Sequence, residues 1–193
     1  MKILDLRITI PLPDWLYDSA VFVILLYRRL RFGHPFRRIP LTKGKFAIVD
    51  PPDYEILSKY KWRTCKAPNT FYAERSIRKQ NGKFSRKLLH RHLMQPPANL
   101  VIDHINRNGL DNRRANLRLA TISQNAANSK KRNPRSGYKG VWLDKQKNLY
   151  RAAIWSNNKR YYLGLFESPV DAAKAYDDAA KKLHKDFAAL NFE

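Results

Sequence analysis

The sequence predicts an α+β fold in two small units, and three observations carry that reading. Residues 37–129 interleave short strand-like and short helix-like runs. Residues 138–193 change to three alternating strands followed by one amphipathic helix, a three-stranded antiparallel sheet packed on a C-terminal helix. Between them, residues 130–137 hold the Pro, Gly, Lys and Arg of a basic linker. A chain of 193 residues with 44% apolar content can bury a modest core in each unit.

The N-terminal extension, residues 1–36, is predicted to hold a helix ending near Phe32 and Gly33, because Pro11, Pro13, Pro35 and Pro40 punctuate its surroundings. Its apolar stretch at 15–27 (WLYDSAVFVILLY), followed by Arg28, Arg29 and Arg31, resembles an anchor with a positive flank. The uninterrupted apolar run covers only residues 20–27, against the roughly twenty residues needed to span a bilayer. A short helix docked on the core or on a partner is expected instead, and membrane contact is not.

Residues 45–49 read as a strand, 53–59 as a short helix and 71–78 (FYAERSIR) as an alternating strand. Asn81-Gly82 marks a hairpin turn into a strand over 83–88. Residues 88–94 continue as a helix until Pro96-Pro97. Residues 100–102 form a short strand that delivers Asp103 and His104 to its end, and 117–121 a second strand, after which Ser123 caps a helix carrying Asn125 and Asn128. Beyond the linker, strands over 138–143, 150–156 and 161–166 precede a helix that starts at Ser168 or Asp171. Its apolar Ala172, Ala173, Tyr176, Ala179, Ala180 and Leu183 recur at helical spacing.

Thirty-eight Lys and Arg against sixteen Asp and Glu give a net charge of +22, spread along the chain rather than gathered in a tail. With 12% aromatic residues, that excess points to nucleic acid rather than a lipid surface. Cys65 stands alone, which excludes a disulfide framework and a Cys-x-x-Cys zinc cluster and suits a reducing cytoplasm. Residues 75–135 hold fifteen Lys and Arg but only two carboxylates, Asp103 and Asp111. A lone acid beside a histidine in a field that attracts phosphate suits a hard cation bridging protein and phosphate. His104 is then a general base for water, Asp103 a cation ligand. Asn116 and Asn125 supply neutral amides, one to orient the imidazole and one to complete an oxygen-rich shell. Such a shell suits Mg²⁺.

Leu89-His90-Arg91, Asp103-His104-Ile105, Asn112-Arg113, Asn116-Leu117-Arg118 and Gln124-Asn125 together resemble the HNH endonuclease family, in its phage and bacterial homing-endonuclease branch, over roughly residues 40–129. The resemblance implies a ββα-metal nuclease fold. It makes His104 the general base, Asn116 the residue that holds it, and Asp103 with Asn125 the metal ligands. It also makes His90 a recurring helical histidine of the catalytic region. The last motif position is Asn rather than His, which disfavours zinc and favours Mg²⁺ or Mn²⁺.

Residues 138–143 (YKGVWL), 162–166 (YLGLF), 171–177 (DAAKAYD) and 190–192 (LNF) resemble the plant ethylene-response-factor, or APETALA-type, DNA-binding domain over 136–192. In that family the sheet reads the major groove. The matching outward positions are Lys139, Trp142, Asp144, Gln146, Ala153, Trp155, Arg160 and Tyr162, with Lys139, Lys147, Arg151, Lys159 and Arg160 available to phosphates. Val141, Leu143, Ala152, Ile154, Leu163 and Leu165 are then left for the helix-facing side. The whole reads as a monomeric, bacterial or phage-encoded endonuclease. It nicks one strand of double-stranded DNA, takes no small-molecule substrate and is targeted by its C-terminal unit. The alternative is a DNA-binding regulator with an inactive nuclease scaffold.

Overall fold

The computed structural model describes residues 13–130 and 135–192, so the centre of the expected linker, 131–134, lies outside the described residues. Helix α1 (Asp14–Phe32) ends at Gly33, whose backbone sits at φ +77° and whose N–H bonds back to the Arg29 carbonyl. None of its residues is buried, which overturns the expected docking on the core. It meets the rest of the chain through Arg28, bonded to the Phe36 carbonyl, through Phe32, edge-on to the Phe36 ring, and through Tyr17, which accepts from Arg37. No described helix is long and apolar enough to cross a membrane.

The first core forms around β1 (Arg37–Pro40) paired antiparallel with β2 (Phe46–Val49), helix α2 (Pro51–Leu57), and a sheet of β3 (Arg63–Lys66), β4 (Phe71–Arg78) and β5 (Phe84–Leu88) in the order β3-β4-β5. Ile39, Ala47, Val49, Leu57, Trp62, Ala73 and Leu89 fill it. Strands β1 and β3 carry too many charged residues to stand out by alternation, and sequence periodicity passes them over. Helix α3 (Leu89–Met94) closes this core and stops at Gln95, left-handed at φ 43°, just before the two prolines.

From there β6 (Val101–His104) and β7 (Leu117–Ala120) form an antiparallel ribbon, and helix α4 (Ile122–Ala127) packs on it. The cap of α4 is Thr121 rather than the expected Ser123. Its hydroxyl accepts from the Gln124 N–H while the Gln124 side chain accepts from the Thr121 N–H, satisfying two otherwise orphaned donors. The ribbon and this short helix make the ββα unit.

The C-terminal unit has the expected architecture: β8 (Val141–Asp144), β9 (Leu149–Ser156) and β10 (Lys159–Phe166) in the order β10-β9-β8, backed by α5 (Pro169–His184). Val141, Ala152, Ile154, Ala172, Ala173, Tyr176 and Ala180 form its core. A bulge between Tyr162 and Gly164 breaks the alternation of β10. Leu163 and Phe166 therefore pack toward the helix, whereas Leu165, expected inside, stands opposite Arg151 on the outer face.

Gly140 lies at φ +72° under the Tyr176 ring, and a Cβ there would overlap both that ring and the Ala153 carbonyl. The Gly140 carbonyl also accepts from the Ala153 N–H, so the backbone cannot withdraw without losing a bond. Gly140→Ala is predicted to destabilise the C-terminal unit by about 2–4 kcal/mol, from strain and overpacking together. A denaturant midpoint equal to that of the wild type would contradict this.

Candidate functional site

Asp103 and His104 are the last two residues of β6, and the strand runs through both, with Asp103 paired to Arg118 and His104 to Leu117. They sit at the buried end of the strand, which extends two residues beyond the expected 100–102. Asp103 is 3% exposed, and every oxygen is engaged. Arg118 Nε and a terminal nitrogen both bond its Oδ2 at 2.8 Å, and Asn128 Nδ2 donates to Oδ1 at 2.9 Å and to Oδ2 at 3.1 Å. Asn128 also bonds the His104 carbonyl at 2.9 Å, fastening α4 to the end of β6.

The His104 ring is packed edge-on against His90 at 5.0 Å and tilted against Tyr72 at 5.8 Å, while its Nε2 faces Asn112 Oδ1 at a long 3.4 Å. Asn116 does not reach the imidazole, contrary to expectation. Its Oδ1 accepts from the Asn106 N–H at 2.9 Å and its Nδ2 donates to the Asp111 carbonyl at 2.7 Å, so it ties down the loop between β6 and β7. The Asp111 carboxylate, bonded by Arg113 and Asn106, is the other anchor of that loop. Asn112, fully buried, takes the place expected of Asn116 beside His104.

Asp103, His104 and Asn125 line one cleft of about 450 Å³, with Tyr72, Asn128 and Lys130 among its walls. Asn125 lies on the exposed side of α4. His90 is buried behind His104 and is not part of the cleft wall. Among the described residues no three His, Cys, Asp or Glu side chains gather as a metal-binding group. A cation at this cleft would therefore rest on one carboxylate and an amide oxygen, a hard donor set that suits Mg²⁺ or Mn²⁺ and not a thiolate-seeking metal.

Burial lowers the pKa of His104 below the ordinary histidine value, with Asn112, Asp103 and Asp111 pulling the other way. For His90, burial, then the neighbouring His104 and Arg91, lower it to about 3. His90 is thus neutral in the fold, whereas the unfolded chain takes up the proton near pH 6.5. The unfolded state binds more protons between those values, so stability is complete above pH 6.5 and is lost as pH falls toward 3. The linkage predicts a loss of about 2–3 kcal/mol by pH 4.5, and His90→Phe, which keeps a ring there, removes most of it. Equal pH slopes for the two proteins in urea unfolding would contradict the assignment.

In the C-terminal sheet, register places Trp142, Asp144, Arg151, Trp155, Arg160 and Tyr162 on the face away from α5. Trp155 is 62% and Tyr162 59% exposed, and Arg160 stacks on Trp142 at 4.8 Å. Asp144 caps the following turn by accepting from the backbone of Gln146 and Lys147 and pairs with Arg151 at 2.6 Å, so part of that guanidinium is already committed. Gln146 and Lys159 are exposed at the two turns, and Ala153 is shielded by its neighbours. Lys139 is a correction. It turns inward, donating to the Ala127 carbonyl at 2.5 Å, and burial lowers its pKa to about 8, with the Arg107 charge adding to the shift. It is a contact between the two units and not a phosphate ligand.

Asn112, Arg118 and Asn128 were not assigned roles from sequence. Arg118 is findable only from the register of the β6–β7 ribbon, and Asn128 only from the turn of α4 on which it lies. Asn112 carries no pattern of its own.

Residues 87–127 match the HNH endonuclease family, and residues 136–185 match the AP2 domain. The chain is also similar to a protein described as an uncharacterized HNH endonuclease of Acanthamoeba polyphaga mimivirus, with 28% identity over 183 residues, covering 92% of this chain and 84% of that one. No solved structure matches it significantly. One chain thus carries a segment that matches the HNH endonuclease family joined to a segment that matches the AP2 domain, and together these support a nuclease that acts on DNA.

Proposed function

We propose that this protein is a divalent-metal-dependent endonuclease that nicks one strand of duplex DNA as a monomer, at positions chosen by its C-terminal domain. The observation that supports this reading best is the convergence of Asp103, His104 and Asn125 on one cleft within the HNH-matching segment. In this reading residues 37–129 form the nuclease, 130–137 the connection and 138–193 the targeting domain, with 1–36 an extension. One site per chain accounts for one cut.

Asp103 and Asn125 would hold the cation, Mg²⁺ or Mn²⁺. When bound, the ion supplies charge stabilisation at the scissile phosphate and the departing oxygen. His104 takes the proton from the attacking water. With Nε2 turned to the Asn112 oxygen, the tautomer protonated there leaves Nδ1 as the basic nitrogen. Asn116 holds the loop that follows His104, and His90 backs its ring, keeping the imidazole from turning away. Over the DNA, Trp155 and Tyr162 contact base edges or sugars, Trp142, Asp144 and Gln146 border them, and Arg151, Lys159 and Arg160 hold phosphates.

His104→Ala is predicted to reduce single-turnover cleavage by about 10²–10⁴-fold while duplex affinity stays nearly unchanged, since a general base contributes to rate and not to phosphate contact. Because burial holds the His104 pKa down, the base stays unprotonated at neutral pH. The acid limb of the wild-type rate profile should therefore fall below pH 6.5. Undiminished cleavage by His104→Ala, or a limb centred well above that pH, would refute the assignment.

A further inference from the structure

Two side chains cross between the nuclease and the AP2-type domain, one ending on Asp103 of the proposed cation site and the other on the helix that carries Asn125. From the nuclease side, Arg118 bonds Asp103 through two nitrogens and uses its remaining terminal nitrogen to donate to the Asp186 carbonyl at 2.7 Å. The Phe187 ring covers its guanidinium at 3.8 Å. Asp186 and Phe187 belong to the single 3-10 turn Lys185–Phe187 after α5, which also packs on α4. From the other side, Lys139, which precedes β8, reaches the Ala127 carbonyl at the C-terminal end of α4. One strut thus ends on the carboxylate that would hold the cation, the other on the helix that carries Asn125 and precedes Asn128.

We infer that the C-terminal domain is a structural half of the cation site: the Lys185–Phe187 turn fixes Arg118 against Asp103, and Lys139 fixes α4, so that docking of the domain sets the spacing of Asp103 and Asn125. Arg118 and Lys139 are positioning residues. The inference rests on the proposed reading of Asp103 and Asn125 as cation ligands. A long, flexible arginine side chain holds a carboxylate in one orientation only if its own far end is fixed. Among the described residues, Asp186 and Phe187 supply that fixed end. The two units then support each other across the linker, with the AP2-type domain bracing the cleft in addition to reading DNA.

The test uses the full chain without DNA, titrated with Mn²⁺ while free Mn²⁺ is followed by electron paramagnetic resonance. Partners that orient a ligating carboxylate typically change metal affinity about 10–100-fold. Phe187→Ala and Lys139→Met are expected to weaken Mn²⁺ binding by about tenfold or more, whereas Phe187→Tyr, which keeps a ring over Arg118, stays close to wild type. In single-turnover nicking of supercoiled plasmid at saturating DNA, the two weakened variants should regain most of their rate as Mn²⁺ is raised. Unchanged Mn²⁺ affinity in both would overturn the inference and leave the nuclease reading standing. Tighter binding would also overturn it, because Arg118 would then merely compete with the cation. A wild type that binds no Mn²⁺ and never nicks would overturn both.

Discussion

Asp103 is a carboxylate buried in a protein of net charge +22, and the nuclease half is arranged around keeping it partnered and aimed. An unpaired charge at that depth would carry a large desolvation cost, so its position depends on partners. Arg118 arrives from the neighbouring strand because the β6–β7 register sets the two residues opposite each other, and Asn128 arrives from the last turn of α4. Removing Arg118 alone would leave the carboxylate uncompensated, a loss of about 3–5 kcal/mol for pairs of this kind. The ribbon, the helix and the turn after α5 therefore meet at one side chain.

The neutral surroundings of the proposed base follow from the same burial. His104 sits between His90, Tyr72 and Asn112, and a proton on its ring is disfavoured by lost hydration. The loop after it is long enough to wander, yet Asn116 and Asp111 close it with side-chain bonds to its backbone and side chains. The cleft thus combines a buried carboxylate, an imidazole and an exposed amide in close quarters, while Lys130 and Arg107 at its edge attract the polyanion.

Much of this was legible in the sequence, and the misses have physical causes. Strand β4 announced itself by clean alternation, and of the motif residues Asp103, His104 and Asn125 line one cleft while Asn116 does not. The C-terminal sheet and helix followed from alternation and helical spacing, except at Leu165, where a one-residue bulge moves a side chain to the other face without any change in residue type. Lys139 reads as a phosphate contact because it matches an outward position of the resembled domain; its burial depends on a neighbouring unit that local pattern does not encode. The exchange of roles between Asn112 and Asn116 has the same origin. Both are asparagines in one loop, and only the closed loop decides which faces the imidazole.

One cleft and one reading face held in fixed relation would cut DNA at one place. The most direct measurement is to end-label each strand of duplexes selected for tight binding to the whole protein, incubate them with Mg²⁺, and map the cleaved phosphate against the protected region. The expected result is a single cut in one strand at a constant distance from the protected region, absent in EDTA. Cuts scattered along the duplex, or a cut that persists unchanged in EDTA, would contradict it.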